Sequence, residues 1–277
     1  MKKTALITLL LTLIISYGCQ TMSPPKKPTI VLTAFGTSVH EARKVFDYIE
    51  TKAEARYPNH TVRWAFTSSF IRKKLKKEGI ITLSLDEVIS DLREKNINDI
   101  VIQSLHVVPG QEFKEIGKVD TSGLNVAVGQ ALLTTDGDIT RVLDAVSDKL
   151  IPDCPNVFVG HGNDHHPELN KQLVAFNHAL QKKFNNAVLC TVEGMPGTDA
   201  LSTVKKQAKK DGKVNFIPMM IVAGDHVMND VMGDEPDSWK NIIKAEKTTC
   251  TKPLGYNDQI LAVYFSHIDK ALEALQK

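Results

Sequence analysis

The most regular feature of the chain is the alternation of continuous apolar runs with segments of helical periodicity. The runs are rich in β-branched residues and lack the polar alternation of a strand with one solvated face. Such runs predict strands buried on both faces of a parallel sheet. They cover residues 29–34, 61–67, 99–108 and 126–128 in the first half, and 156–159, 187–192 and 214–222 in the second.

Helical periodicity fills most of the intervals between these runs. Apolar residues recur three and four positions apart, which predicts amphipathic helices. These helices span 41–56, 70–77, 85–95, 139–150, 167–184, 200–210, 239–245 and 261–276. Alternating strands and helices indicate an α/β fold, because successive parallel strands need a crossover connection that is usually a helix.

The two halves of the chain resemble each other. An offset of 126 residues carries Gly36 onto Gly162 and Thr67 onto Glu193, and each of these residues follows the corresponding strand. This correspondence predicts an internal duplication. We therefore expect two similar Rossmann-like domains, each a parallel sheet flanked by helices. They span residues 29–150 and 151–277.

The N-terminal segment belongs to neither domain. Lys2 and Lys3 precede an apolar stretch at 5–15 that is too short to span a bilayer, and Cys19 follows directly after Gly18. Residues 1–19 therefore resemble a lipoprotein signal peptide with Cys19 as the lipidated residue, and simple secretion is the alternative. Residues 20–28 form a proline-containing linker. We expect an exported protein of the periplasm or cell envelope, whose membrane contact is limited to its lipid anchor.

Charge and cysteine content exclude two classes of function. The formal net charge of +2 on 277 residues gives no basis for nucleic-acid binding. Besides Cys19, the chain has Cys154, Cys190 and Cys250, with no C-x-x-C spacing. A thiolate zinc site is therefore not expected, at most one disulfide forms within the chain, and buried free thiols are the simplest interpretation.

Three strand ends in the second half carry metal-ligating side chains beside glycines. His161 lies between Gly160 and Gly162, Glu193 precedes Gly194, and His226 closely follows Gly224. Ligands of open parallel sheets bind at the carboxyl ends of the strands. Two imidazoles and one carboxylate leave coordination positions open on a divalent cation. The pattern therefore predicts a metal site, whereas the 160–166 segment taken alone could also be a solvated His-rich loop.

Five motifs carry a resemblance to a known family: AFGTS (34–38), SLHVVPGQEF (104–113), GHGNDHHPELN (160–170), VEGMPG (192–197) and PMMIVAGDHVMNDVMGDEPDSWK (218–240). They closely resemble the anaerobic, class II sirohydrochlorin cobaltochelatases of the CbiK type. The resemblance implies two α/β domains with the active site in the cleft between them. It also implies insertion of Co(II) into sirohydrochlorin on the route to cobalamin. The metal ligands of the family correspond to His161, Glu193 and His226.

The chemistry of these three residues suits metal insertion into a tetrapyrrole. The reaction removes two pyrrole protons and delivers one divalent ion. Neutral imidazole holds Co(II) without trapping it as thiolates would, and it accepts a proton near neutral pH. We expect His161 to be the main base, while His226 and Glu193 hold the incoming metal.

The matching strand ends of the first half carry Phe35, Thr67 and Glu112 and can face the same cleft without binding metal. The substrate-binding candidates are Phe35, Gly36, Thr37 and Ser38 together with Glu112. A glycine turn before a helix offers backbone N–H groups to the substrate carboxylates. Phe35 can stack on the flat macrocycle, and Lys114 or Arg43 can pair with a carboxylate.

Several alternatives remain open at the level of sequence. The ligand set does not separate Co(II) from Fe(II) or Ni(II), because the order of affinity is set by the metals themselves. An exported ferrochelatase-like enzyme that inserts Fe(II) is therefore one alternative. A surface carrier that binds metal or tetrapyrrole without turnover is another, since corrinoid synthesis is expected in the cytoplasm. The sequence also leaves a homo-oligomer open.

Overall fold

The computed structural model describes residues 27–277. The predicted signal peptide, the lipidation site at Cys19 and nearly all of the predicted linker lie outside these residues. Within them, the chain forms two four-stranded parallel sheets with helices packed against them. None of the helices in this range is long and apolar enough to cross a membrane.

The first sheet contains β1, β2, β3 and β4 in the order β2-β1-β3-β4, and all of its strands are parallel. The second contains β5 to β8 in the order β6-β5-β7-β8, again parallel. The strands are β1 (Thr29–Ala34), β2 (Val62–Phe66), β3 (Asp99–Ser104), β4 (Asn125–Gly129), β5 (Asn156–Gly160), β6 (Ala187–Thr191), β7 (Lys213–Pro218) and β8 (Lys247–Cys250). The identical strand order confirms the predicted fold class of two similar parallel α/β units.

The helices follow the predicted positions with shifts at their ends. They are α1 (His40–Arg56), α2 (Ser69–Lys77), α3 (Leu85–Glu94), α4 (Gln111–Ile116), α5 (Asp136–Val146), α6 (Lys171–Lys183), α7 (Leu201–Asp211), α8 (Trp239–Ile243) and α9 (Asp258–Ala274). Capping sets several starts: the Thr135 hydroxyl accepts from the Asp138 N–H, and the Asn257 side chain accepts from the Gln259 N–H. These caps begin α5 and α9 three residues before the apolar periodicity does.

One strand and one α-helix were not predicted, and two strands end four residues before their apolar runs do. Strand β8 has the polar sequence KTTC at the edge of its sheet, so it carries no apolar signal. Helix α4 is only six residues long. Strand β7 ends at Pro218, which has no N–H to donate to a neighbouring strand, although apolar residues continue to 222. Strand β3 likewise ends at Ser104 rather than at 108.

The C-terminal helix α9 connects the two sheets. It starts after the second sheet but packs against β3 and β4 of the first. The buried Tyr264 hydroxyl donates to the carbonyl oxygen of Leu105 at 3.1 Å. The largest hydrophobic cluster contains residues of both halves, among them Leu32 and Phe158, so the halves share one core. The domain boundary at 150/151 remains a prediction.

Candidate functional site

The site is built on two interlocked turns at the carboxyl ends of β5 and β6. The His161 carbonyl accepts from the Glu193 N–H at 2.8 Å. Gly162 has a φ of +79°, and a Cβ placed there would lie 1.6 Å from the carbonyl oxygen of Glu193. Only glycine allows this approach of the two backbones. The sequence Gly-His-Gly therefore places the backbones of His161 and Glu193 side by side.

A second set of polar contacts fixes the same loops. The Gly194 N–H donates to the Asp164 carboxylate, and the Asn163 side chain accepts from the His166 N–H at 2.7 Å. The buried Asn170 amide donates to the Asn163 carbonyl at 2.8 Å. Asp164 and Asn163 thus hold the loop that carries His161. Sequence reasoning missed this role, because loop-to-loop contacts leave no periodic signal.

The geometry around His161 identifies the protonated nitrogen of its ring. Its side chain is exposed, and Nδ1 lies 2.8 Å from the carbonyl oxygen of Gly162. A carbonyl oxygen can only accept, so Nδ1 donates and the neutral ring keeps its lone pair on Nε2. The free lone pair is available to a metal ion or to a proton of the substrate.

His226 is prepared in the same way by a different partner. It lies after β7, immediately before a π-helical turn at Val227–Val231. Its Nδ1 is 2.6 Å from Oδ2 of Asp230, one helical turn later. The carboxylate accepts from Nδ1 and leaves the Nε2 lone pair free, an arrangement that orients metal-binding histidines. Its polar neighbours are Asp225, Asn229 and Asp230, and Asp230 is the one that contacts the ring, whereas Asp225 and Asn229 contact each other.

The structure brings together two of the three predicted ligands. The ring centroids of His161 and His226 are 4.7 Å apart, and the rings are nearly perpendicular. Glu193 is half-buried and joined to His161 through the backbone. No group of three His, Cys, Asp or Glu side chains among residues 27–277 is arranged to hold a metal ion. The site therefore consists of a pair of histidines. The Glu193 side chain does not complete a set of three metal ligands with them.

The thiols of the chain do not contribute ligands to this pair. Cys154, Cys190 and Cys250 are free, and burial raises the pKa of Cys190 to about 12 and that of Cys250 to about 11. A thiol with so high a pKa is protonated at neutral pH and is a poor metal ligand. The ligand set of two imidazoles and one carboxylate remains a prediction.

The turn after β1 faces the loop that leads to His226. A Cβ on Gly224 would lie 3.3 Å from Oγ1 of the buried Thr37. Gly36 has a φ of +96° and packs against Phe66. Phe35, one residue earlier, is 48% exposed although it is large and apolar. The turn that was predicted to bind substrate thus borders the histidine loops, with its aromatic ring uncovered.

Two other candidates, Ser38 and Glu112, and the neighbouring His106 occupy less direct positions. Ser38 is half-buried in the same turn, and Glu112 lies half-buried in the first turn of α4 after the third strand. His106 also follows β3; its Nδ1 lies 2.9 Å from the Ser104 hydroxyl and its Nε2 has no partner within the described range. Burial lowers the pKa of His106 to about 4, so this ring is neutral at physiological pH.

Comparison with protein families gives one match over most of the chain. The family model described as cobalt chelatase (CbiK) matches residues 28–273. The sirohydrochlorin cobaltochelatase of Salmonella typhimurium is 29% identical over 259 residues, covering 89% of this chain and 97% of that protein. The sirohydrochlorin cobaltochelatase CbiKC of Nitratidesulfovibrio vulgaris is 27% identical over 267 residues, covering 91% and 93%.

Solved structures share the architecture at much lower sequence identity. The sirohydrochlorin chelatase SirB from Bacillus subtilis subspecies spizizenii, solved in complex with cobalt, superposes with a TM-score of 0.60 at 11% identity, covering 89% of this chain and 96% of that one. CbiX, an enzyme of siroheme biosynthesis in denitrifying bacteria, gives 0.57 at 14% identity, covering 88% and 99%. At these identities the likeness supports the fold of two similar α/β halves.

Proposed function

The chain belongs to the cobalt chelatase (CbiK) family, and from that membership we propose that it inserts Co(II) into sirohydrochlorin with release of two pyrrole protons. The observation that carries the proposal is the histidine pair at two strand ends. Both rings donate through Nδ1 to fixed acceptors and keep the Nε2 lone pair free. Two such lone pairs suit a site that must take up protons and hand over a metal ion.

The two histidines differ in their acceptors, and this suggests their roles. His161 donates to a neutral carbonyl and is exposed, so its Nε2 can reach a pyrrole N–H of the bound macrocycle. His226 donates to the Asp230 carboxylate, which increases the electron density that its Nε2 offers a cation. In the proposal His161 is the base, and His226 holds the incoming metal with Glu193.

A loosely held metal is what the reaction requires. The ion must leave its protein ligands for the four ring nitrogens, so a closed, tight shell would oppose transfer. Two imidazoles in contact, with a half-buried carboxylate on the adjoining turn after β6, form a weak and incomplete shell. Glu193 can join the ion or accept the second proton without any rearrangement of the His161 backbone.

The macrocycle binds against the first half of the chain. Phe35 offers an exposed ring to its flat face, and the turn through Gly36, Thr37 and Ser38 offers backbone N–H groups to its carboxylates. Glu112 lies in the first turn of the helix after the third strand and completes the substrate-binding set. The substrate lies between a turn that carries an aromatic ring and turns that carry the ligands.

An absorbance time course tests the function. The chain without residues 1–19 is mixed with sirohydrochlorin and either Co(II), Fe(II) or Ni(II). We expect catalytic conversion to the Co(II) complex, with several turnovers per protein. Preference for Fe(II) would indicate the ferrochelatase-like alternative. Stoichiometric binding of metal or tetrapyrrole without turnover would indicate the carrier, which the export signal favours.

Export to the cell envelope is also part of the proposal. It is supported by the lysines at positions 2 and 3, the apolar stretch at 5–15 and the position of Cys19. Metabolic labelling with palmitate is expected to mark the full-length protein, and a Cys19→Ser variant is expected to lose the label. Unlabelled wild-type protein released in soluble form would indicate simple secretion instead.

A further inference from the structure

Helix α2 presents an unusual surface beside the candidate site. It has the sequence SFIRKKLKK and starts directly after β2. The N–H of its capping residue Ser68 donates to the Phe35 carbonyl at 3.3 Å, and Ile71 packs on Gly36. The helix therefore rests on the same turn that exposes the Phe35 ring.

The two faces of this helix have different characters. Leu75 is buried and Ile71 is half-buried on the inner face. Phe70, Lys73, Lys74 and Lys77 are all exposed, and at 3.6 residues per turn they fall within an arc of roughly 100°. We call these four residues, together with Ile81, the α2 surface.

The α2 surface has more apolar exposure than a solvated helix needs. Phe70 is 71% exposed and Ile81 is 82% exposed, the highest values among the exposed large apolar side chains of residues 27–277. The segment with Ile81 returns to the sheet, where the Leu83 carbonyl accepts from the N–H of Phe66 at the end of β2. The backbone at both apolar residues thus lies near the carboxyl edge of the first sheet.

The lysines of this surface have no acidic partners. Lys73, Lys74 and Lys77 form no salt bridge with any side chain in the part of the chain that the structure describes. Lysines near a helix C-terminus are favourable for the helix dipole, which accounts for Lys74 and Lys77 in part. The dipole does not account for Lys73 in the middle of the helix or for the uncovered Phe70.

Most other exposed large apolar side chains also lie around the site. Phe35 follows β1, Met195 follows β6 and Met228 belongs to the π-helical turn after His226. Exposed apolar groups that gather around a cleft indicate a ligand or partner. Exposed apolar side chains beside the histidine turns fit a molecule with a flat apolar face, and the lysines of α2 fit negative charges on its periphery.

We infer that the α2 surface is a recognition surface for the carboxylates on the periphery of the tetrapyrrole, with Phe70 and Ile81 against its apolar edge. The inference rests on the proposed function and names the residues that select a polycarboxylated substrate. A membrane surface is the competing partner for lysines beside apolar groups. The contact of α2 with the turn that carries Phe35 favours the tetrapyrrole over a membrane.

Charge reversal on the helix tests the inference. The variant K73E/K74E/K77E is titrated with metal-free sirohydrochlorin and assayed with Co(II). Reversing three surface charges is expected to raise Kd and KM by roughly tenfold, with kcat at saturation nearly unchanged, and the difference should shrink at high salt. The matched control is K206E/K209E/K210E, which makes the same charge change on exposed lysines in the second half of α7, and its Kd should stay near that of the wild type.

Two further measurements separate the outcomes. K73R/K74R/K77R keeps the charge and should bind like the wild type, and thermal melts of all variants identify loss through misfolding. Sedimentation with phosphatidylglycerol vesicles reports the membrane alternative. If K73E/K74E/K77E loses vesicle binding but keeps the Kd for sirohydrochlorin, the inference is overturned. A wild-type protein that neither binds nor converts sirohydrochlorin would contradict the proposed function itself.

Discussion

The first turns of the two halves have the same position in the same topology but opposite chemistry. After β1 the chain reads Phe35-Gly36-Thr37, and after β5 it reads His161-Gly162-Asn163. Both glycines have positive φ values, +96° and +79°. The two turns therefore share a positive φ at the glycine, but one exposes an aromatic ring and the other an imidazole.

This difference shows how a duplicated fold can divide the work of one reaction. A metal-insertion site needs a surface that holds a flat organic ring and a surface that holds an ion and takes protons. In the proposed mechanism the first half supplies the exposed aromatic ring of Phe35 and the lysines of α2, and the second half supplies the histidine pair. Each half keeps the strand order and adapts only its strand ends, where ligands bind in parallel sheets.

The largest expected effect comes from removing the imidazole of the second turn. His161→Ala removes the group that is proposed to accept pyrrole protons, and general bases contribute roughly 10²- to 10⁴-fold to a rate. We expect Co(II) insertion to fall by about 10³-fold, while the Kd for metal-free sirohydrochlorin stays measurable and close to that of the wild type. His165→Ala changes an exposed neighbour in the same loop and serves as the control. Retained turnover in His161→Ala would remove this residue from the mechanism.

The backbones of the two turns can be compared by adding one methyl group to each glycine. In Gly162→Ala the new Cβ meets the Glu193 carbonyl oxygen at 1.6 Å, and the loops must separate. In Gly36→Ala it meets the flexible side chains of Phe66 and Ile71 at 3.2–3.3 Å. Gly123→Ala has a similar φ of +76° with nothing within 4 Å, so it measures backbone strain alone.

Urea unfolding should order these three variants. We expect the free energy of unfolding to fall by about 3 kcal/mol for Gly162→Ala, by about 2 kcal/mol for Gly36→Ala and by about 1 kcal/mol for Gly123→Ala. If Gly162→Ala and Gly123→Ala lose the same free energy of unfolding, the contact between the turn after β5 and the turn after β6 is not a rigid part of the fold.

The same two turns show how far sequence reasoning reaches. The apolar runs predicted seven of the eight strands. The signal is strongest for the central strands β1, β3, β5 and β7, which are buried along almost their whole length and must therefore be continuously apolar. The polar edge strand β8 gives no such signal and was missed. Gly36 and Gly162 were identified as turn residues, because glycine between a buried strand and a helix has few other uses.

The arrangement of the site was predicted less completely. The carboxyl-end rule correctly brought His161 and His226 together from positions 65 residues apart. It could not give the side-chain direction of Glu193, which depends on how two loops interlock through Gly162 and Gly194. It also could not select Asp230 among the polar neighbours of His226, since that contact depends on a π-helical turn. The roles of these side chains in binding and catalysis remain predictions.

A substitution at Asp230 removes the main difference between the two histidines, which is the charge of the group that accepts from Nδ1. Asp230→Asn replaces the carboxylate that accepts from Nδ1 of His226 with a neutral amide, as neutral as the carbonyl that faces His161. Loss of such an orienting partner typically costs about tenfold or more in metal affinity. We expect the KM for Co(II) to rise about tenfold, with sirohydrochlorin binding unchanged. Asp225→Asn, whose carboxylate contacts Asn229 instead, is the control.

The smallest expected effect lies on the aromatic side of the comparison. Phe35→Ala removes an exposed ring from the first turn and leaves the histidine pair intact. An aromatic stacking contact contributes roughly 1 kcal/mol, so the KM for sirohydrochlorin should rise about fivefold with kcat nearly constant. Phe35→Tyr keeps the ring and should retain the wild-type KM. Because the ring is about half exposed, the free energy of unfolding should change little. Measuring both KM and the free energy of unfolding therefore distinguishes a substrate contact from a packing role. A large loss of stability with an unchanged KM would instead make Phe35 a structural residue and leave the first turn with its backbone donors alone.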